Sequence, residues 1–159
     1  MTPSEQRVLA LIRDAFAGVT LGSGVGLLQA QGIDDYAGPA ALAERRERDE
    51  KDNWSAIPAA DLDRNYSSLS FFDADGMRFH LPAYLVATLE RRLRTADVTF
   101  HLAYFSDGSE SRYFRTLTKA QRHAIREFLM LILADPNQEF VHSTVKNALD
   151  GFWSTRNDP

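Results

Sequence analysis

The clearest alternation of apolar and polar positions in this chain lies between residues 68 and 81. Apolar side chains occupy alternate positions on both sides of the dipeptide Asp75-Gly76, at Leu69, Phe71, Met77, Phe79 and Leu81. A period of two residues is typical of a half-buried strand. Because Asp-Gly favours a tight hairpin turn, the pattern predicts a β-hairpin over residues 68–81.

A second alternation, at residues 98–104, predicts another strand, with Val98, Phe100, Leu102 and Tyr104 on one face. A turn is expected after it at residues 106–109, where the sequence reads Ser-Asp-Gly-Ser. Tyr113 and Phe114 then indicate a short further strand.

Apolar residues at helical spacing predict about five helices, which begin near residues 4, 39, 82, 118 and 138. Pro39 and Pro82 suit the first turn of a helix, and Thr118 with Gln121 forms a capping-box pair. The expected fold class is α+β, with about five helices packed around a small antiparallel β-sheet centred on the hairpin. A single globular domain is expected over residues 1–153, with a polar tail at 154–159 that frays.

Composition narrows the possible functions. The chain has 159 residues and a formal net charge of −4. This acidity argues against nonspecific binding to nucleic acid or anionic membranes, which favour basic proteins. No apolar run approaches the roughly 20 residues of a membrane span, and the N-terminus lacks a secretory signal pattern. The absence of cysteine excludes disulfides and thiolate sites. These features predict a cytoplasmic protein.

Glycines at 22, 24 and 26 resemble part of a phosphate-binding loop. However, Leu27 stands where a dinucleotide fingerprint needs its third glycine, and the Gly-Lys-Ser/Thr of a Walker loop is absent. None of the four histidines has the H-E-x-x-H or H-x-H spacing of a metal site. The sequence therefore predicts neither a cofactor nor a metal.

Acidic residues flank the helix that begins at Pro39, and an aromatic residue follows them. We take this group as the candidate partner-binding face: Asp34, Asp35, Asp49, Glu50, Asp52 and Trp54. Negative charge steers encounters with a basic protein, and buried aromatic residues anchor them.

Two histidines, His80 and His101, lie on predicted strands at positions opposite the apolar ones. If those strands are neighbours, the two rings share a face and can act as acid and base beside a carboxylate. The alternative function is therefore a small hydrolase or a metal-dependent enzyme. A structural or regulatory domain that acts as an oligomer also stays open.

Three segments of the chain resemble a family of small bacterial proteins known only as a domain of unknown function. They are GVTLGSGVGLLQAQGIDDYAG, ERDEKDNW and FFDADGMRFHLPAYL. The resemblance covers roughly residues 8–130 and transfers no catalytic residue. Small, acidic, cysteine-free proteins of this kind look like antitoxin or immunity proteins, an analogy of size and charge. This analogy implies that the chain is a protein-binding module that occludes a basic partner.

Overall fold

A long buried helix occupies the middle of the fold. In the computed structural model, which describes residues 1–105, 108 and 110–159, residues Ala74–Leu89 form one 16-residue helix, and thirteen of these residues are buried. The side chain of Asp73 accepts a hydrogen bond from the Gly76 N–H, 2.8 Å away, and so caps the first turn. The predicted hairpin is therefore wrong, because Asp75-Gly76 lies within the first turn of this helix.

The described residues form nine α-helices, four short 3₁₀ turns and no strand. In chain order the α-helices are α1 (Pro3–Ala15), α2 (Leu27–Asp34), α3 (Pro39–Arg48), α4 (Ala59–Arg64), α5 (Ala74–Leu89), α6 (Val98–Ala103), α7 (Glu110–Phe114), α8 (Lys119–Ala134) and α9 (His142–Asp150). The 3₁₀ turns are Trp54–Ala56, Tyr66–Ser70, Pro136–Val141 and Thr155–Asn157. The expected α+β class is thus corrected to an all-helical one over this part of the chain.

The first part of the alternation lies in the 3₁₀ turn at Tyr66–Ser70, and the second part misled because most of α5 is buried. A helix enclosed by others has no polar face, so its apolar residues do not report a period of 3.6. Pro82 lies inside α5 and does not begin it.

The other predicted strands are also helical. The Asp97 side chain accepts from the Phe100 N–H at 3.0 Å and so begins α6, where a strand was expected. Tyr113 and Phe114 lie in α7. Residues 106, 107 and 109 of the predicted turn lie outside the described part of the chain.

Helices with strong end signals form as predicted. Thr2 and Glu5 make a capping box on α1, and Thr118 and Gln121 make one on α8. Helix α1 packs on α5 and α8, α8 packs on α9, and α2 packs on α3 and the 3₁₀ turn at Tyr66–Ser70. Among the described residues, no helix has the length and apolarity needed to cross a membrane.

The C-terminal residues are anchored by ion pairs. Asp158 accepts hydrogen bonds from Arg122 at 3.0 Å and from Arg126 at 2.7 and 2.9 Å. The Arg122 guanidinium also lies 4.8 Å from the centroid of the Phe152 ring. The hydrogen bond from Arg126 is the main reason that the pKa of Asp158 falls from 3.8 to about 2.

We predict that Asp158→Asn lowers the free energy of unfolding at neutral pH by about 2 kcal/mol, because two guanidinium groups lose a charged acceptor. The native pKa lies below the ordinary value, so this stabilisation is complete above about pH 4 and is lost as the pH falls toward 2. Urea unfolding between pH 7 and pH 3 measures it. The exposed Asp150→Asn serves as control, and equal stability of the two variants at neutral pH contradicts the prediction.

Candidate functional site

Two aspartates hold the glycine-rich loop that precedes α2. Asp73 Oδ1 accepts from the Val25 N–H at 2.9 Å in addition to its bond from Gly76. The Asp49 carboxylate accepts from Leu28 N–H at 2.7 Å and from Gln29 N–H at 3.2 Å. Asp49 therefore caps the first turn of α2 from a distant point in the chain, as an N-cap side chain does locally.

The glycines of this loop permit close packing. A Cβ on Gly24 would lie 2.7 Å from the backbone nitrogen of Gly76. A Cβ on Gly26 would collide with the Asp49 carboxylate, and one on Gly76 with the Val25 carbonyl oxygen. These glycines thus bring the loop against α5 and Asp49, which accounts for the Gly-rich pattern without a phosphate.

His80, on α5, is fully buried. Its Nδ1 lies 2.7 Å from the Gly76 carbonyl oxygen. Because a carbonyl oxygen only accepts, Nδ1 carries the proton and Nε2 carries a lone pair. Phe72 stacks on the ring at a centroid distance of 4.3 Å, and Phe79 meets it edge-on at 4.9 Å.

The imidazole of His80 is neutral at physiological pH. Burial lowers its pKa from 6.5 to about 4, and nearby Arg46 adds to the effect, while the bond to Gly76 opposes it. No described residue offers Nε2 a hydrogen bond. Nε2 of His80 is therefore a buried hydrogen-bond acceptor that receives no hydrogen bond from the described part of the protein.

A cavity of about 220 Å³ lies against His80. Leu27, Leu28, Ala56, Ile57 and Pro58 form its apolar walls, and its charged groups are Arg48, Asp49, Glu50 and Asp61. The Nδ1 edge of the ring is bound to Gly76 and one ring face is covered by Phe72. Since Nε2 is itself buried, His80 contributes little surface to the cavity.

Two residues of the predicted acidic face line the same cavity. Burial raises the pKa of Asp49, and the bonds from Leu28 and Gln29 oppose that rise. Glu50 is exposed, and its Oε1 accepts from the backbone N–H groups of Lys51, Asp52 and Asn53 at 2.9–3.1 Å. The hydrogen bonds from Asp52 and Asn53 hold the pKa of Glu50 below its ordinary value.

The remaining residues of that face lie elsewhere. Asp35 pairs with Arg45 at 3.0 Å, and Asp34 accepts a long bond from Gln31 at 3.4 Å. Asp52 is exposed. Trp54 is buried, and its indole N–H donates to the Phe16 carbonyl oxygen at 2.9 Å. Trp54 thus anchors its segment to the core.

His101 is not among the residues that line the cavity. It lies on α6, half-buried, with its ring 5.4 Å from that of Phe100. Burial lowers its pKa as well. Among the described residues, no group of three histidine, aspartate or glutamate side chains is placed to hold a metal ion.

Sequence reasoning missed the role of Asp73. The signal was present, since aspartate three residues before Gly76 is a typical N-cap. The hairpin interpretation assigned the same residues to a strand and its turn.

The fold and the cavity define a helical domain with a histidine at the wall of a small polar pocket. The chain belongs to a family of unknown function (DUF6714), which matches residues 4–157. This confirms the resemblance at the level of a domain of unknown function. Comparison with curated proteins and with solved structures gives no match.

The three segments that carry the resemblance meet at this site. The first contributes the loop and the start of α2, the second Asp49 and Glu50, and the third Asp73 and His80. These segments are separated in the sequence. Hydrogen bonds from backbone N–H groups of the first segment to Asp49 of the second and Asp73 of the third join them.

We predict that Gly26→Ala destabilises the fold by about 2 kcal/mol or more, because the new Cβ displaces the Asp49 carboxylate. Gly38→Ala is the matched control. Both glycines are N-caps with extended backbone, but a Cβ at Gly38 meets nothing within 4 Å. Denaturant unfolding of both variants gives the difference, and an equal loss of stability refutes the proposed contact.

Proposed function

We propose that this protein binds a small molecule in the cavity at His80 and does not transform it. The observation that carries the proposal is the unpartnered Nε2 of a fully buried histidine beside a cavity of about 220 Å³. An unmet buried acceptor costs roughly 1–3 kcal/mol. A ligand that donates a hydrogen bond to Nε2 removes this penalty, and the free energy recovered adds to its binding affinity.

The walls of the cavity support binding because they are fixed before a ligand arrives. Asp49 holds the backbone N–H groups of Leu28 and Gln29, and the ring of His80 is fixed by Gly76 and Phe72. A preorganised pocket loses little conformational freedom on binding.

Catalysis receives less support from the same geometry. A general base works best with a pKa near the working pH, and that of His80 is about 4. The described residues that line the cavity include no serine, threonine, cysteine or lysine to act as a nucleophile. The alternative of a hydrolase that uses His80 and His101 lacks a shared cavity, because only His80 lines this one in the described part of the chain.

We predict that Ala56→Trp abolishes ligand binding while the fold is retained, because Ala56 is exposed at the cavity wall and an indole there fills the space. Ala60→Trp, the control, places the same ring at an exposed position of α4 outside the cavity lining. A fragment screen read by NMR shifts of the Leu28 and Ile57 methyl groups tests this. Fragments that shift these methyl groups equally in both variants contradict the proposal.

We also propose, as a second candidate, that the protein binds a basic protein partner through an exposed aromatic pair, as an antitoxin or immunity protein does. Phe100 and Tyr104 stack at a centroid distance of 4.8 Å and are 49% and 53% exposed. Paired exposed aromatic rings are favoured at interfaces. The net charge of −4 favours a partner of opposite sign.

We expect Phe100→Ala with Tyr104→Ala to lower affinity for a basic partner at least tenfold, since aromatic anchors dominate binding energy. Phe140→Ala is the control, because that ring is 81% exposed and lies in another segment. Retention on immobilised protein is compared for the variants as salt rises. If the same basic protein is retained equally by the double variant, the aromatic pair is not the docking surface.

A further inference from the structure

We infer that a second cavity, which lies between α6, α7 and α9, receives an arginine side chain of the basic partner, with its guanidinium group beside Glu110 and against aromatic walls. This inference rests on the second proposed function, the binding of a basic protein, and names the partner residue that this surface recognises.

Small residues leave space where α6 packs on α9. Ala103 of α6 and Ala148 of α9 both line the cavity, whose volume is about 360 Å³. Thr144 and Asn147 of α9 line it as well, since residues three and four positions apart, such as 144, 147 and 148, share one face of a helix. The cavity thus combines small apolar residues with a hydroxyl and an amide group that can accept hydrogen bonds.

Aromatic residues form much of the remaining lining. Tyr104, Phe105 and Phe152 all line the cavity, and the rings of Phe105 and Phe152 pack together at a centroid distance of 5.4 Å. Tyr104 also belongs to the exposed pair with Phe100, so the cavity continues the surface proposed to contact the partner. Aromatic rings attract cations, which makes this lining suited to a cationic side chain.

Glu110 supplies the negative charge of the cavity. It is the one charged residue among the described lining residues, and no ion pair between described residues involves it. The Arg122 guanidinium, which lies 4.8 Å from the Phe152 ring centroid, is paired with Asp158. Because Glu110 is half-buried, its side chain keeps accessible surface in the lining. An unpaired carboxylate at an aromatic cavity favours a cation.

Arginine fits this cavity better than lysine does. Its guanidinium group is planar and weakly hydrated, so it stacks on aromatic rings at a lower desolvation cost than an ammonium group. Its several N–H donors can bind a carboxylate in a bidentate manner and still reach a further acceptor. Glu110 offers the carboxylate, and Thr144 and Asn147 offer the further acceptors.

Three probes of similar length test the inference: Nα-acetyl-arginine methylamide, its neutral isostere Nα-acetyl-citrulline methylamide, and Nα-acetyl-lysine methylamide. Binding to the full chain is followed by NMR shifts of the methyl groups of Ala103, Thr144 and Ala148. We expect the arginine derivative to bind about fivefold or more tightly than the citrulline derivative, and more tightly than the lysine derivative. Equal or tighter binding of either comparison probe overturns the arginine assignment, as does the absence of any shift.

The role of the carboxylate is tested by Glu110→Gln, which keeps the shape of the side chain and removes its charge. We expect this variant to bind the arginine derivative about three- to fivefold more weakly and the citrulline derivative equally well, because only the cation loses an attraction. Glu139→Gln is the matched control, since Glu139 is exposed and lies outside the described lining. Equal binding of the arginine derivative by both variants refutes the role of Glu110.

The partner assay separates failure of this inference from failure of the second proposed function. In the salt-dependent retention experiment, we expect Glu110→Gln to release the basic partner at lower salt than Glu139→Gln does. If Phe100→Ala with Tyr104→Ala loses the partner while Glu110→Gln retains it as the control does, the arginine cavity is overturned and the docking surface stands. If neither change affects retention, both fail.

Discussion

The hydrogen bonds from backbone N–H groups to Asp49 and Asp73 hold this site together. Each carboxylate binds two N–H groups of the loop and helix ends near residues 25–29 and 76. The glycines of the loop allow the approach that these bonds require. The Leu21 N–H, which donates to the Lys51 carbonyl oxygen at 2.8 Å, adds a further bond between the loop and the segment of Asp49.

His80 gains its properties from that arrangement. Burial among Phe72, Phe79 and the rest of the core removes water from the imidazole, which lowers its pKa and keeps it neutral. The carbonyl of Gly76 fixes the tautomer and leaves Nε2 as an acceptor. A neutral acceptor beside carboxylates and apolar walls is suited to holding a donor, and its basicity is too low for effective proton abstraction at neutral pH.

Sequence patterns predicted the elements whose signals are local. The capping box at Thr118 and the proline at the start of α3 mark helices that the structure contains. The predicted sheet was wrong because thirteen of the sixteen residues of α5 are buried, so its apolar positions do not show a helical period. Asp49, Glu50 and His80 were singled out as candidates, but in separate sites. Their meeting depends on contacts such as Val25 with Asp73, 48 residues apart, which no local pattern reports.

The central claim concerns the protonation of one ring, and NMR measures it directly. Ring ¹⁵N signals of His80 in the full chain, followed from neutral to acidic pH, report which nitrogen carries the proton and when the second is added. We expect the proton on Nδ1, a free lone pair on Nε2 and no second proton until the pH approaches about 4. A proton on Nε2, or a charged ring at neutral pH, would contradict the assignment of His80 as the acceptor of the cavity.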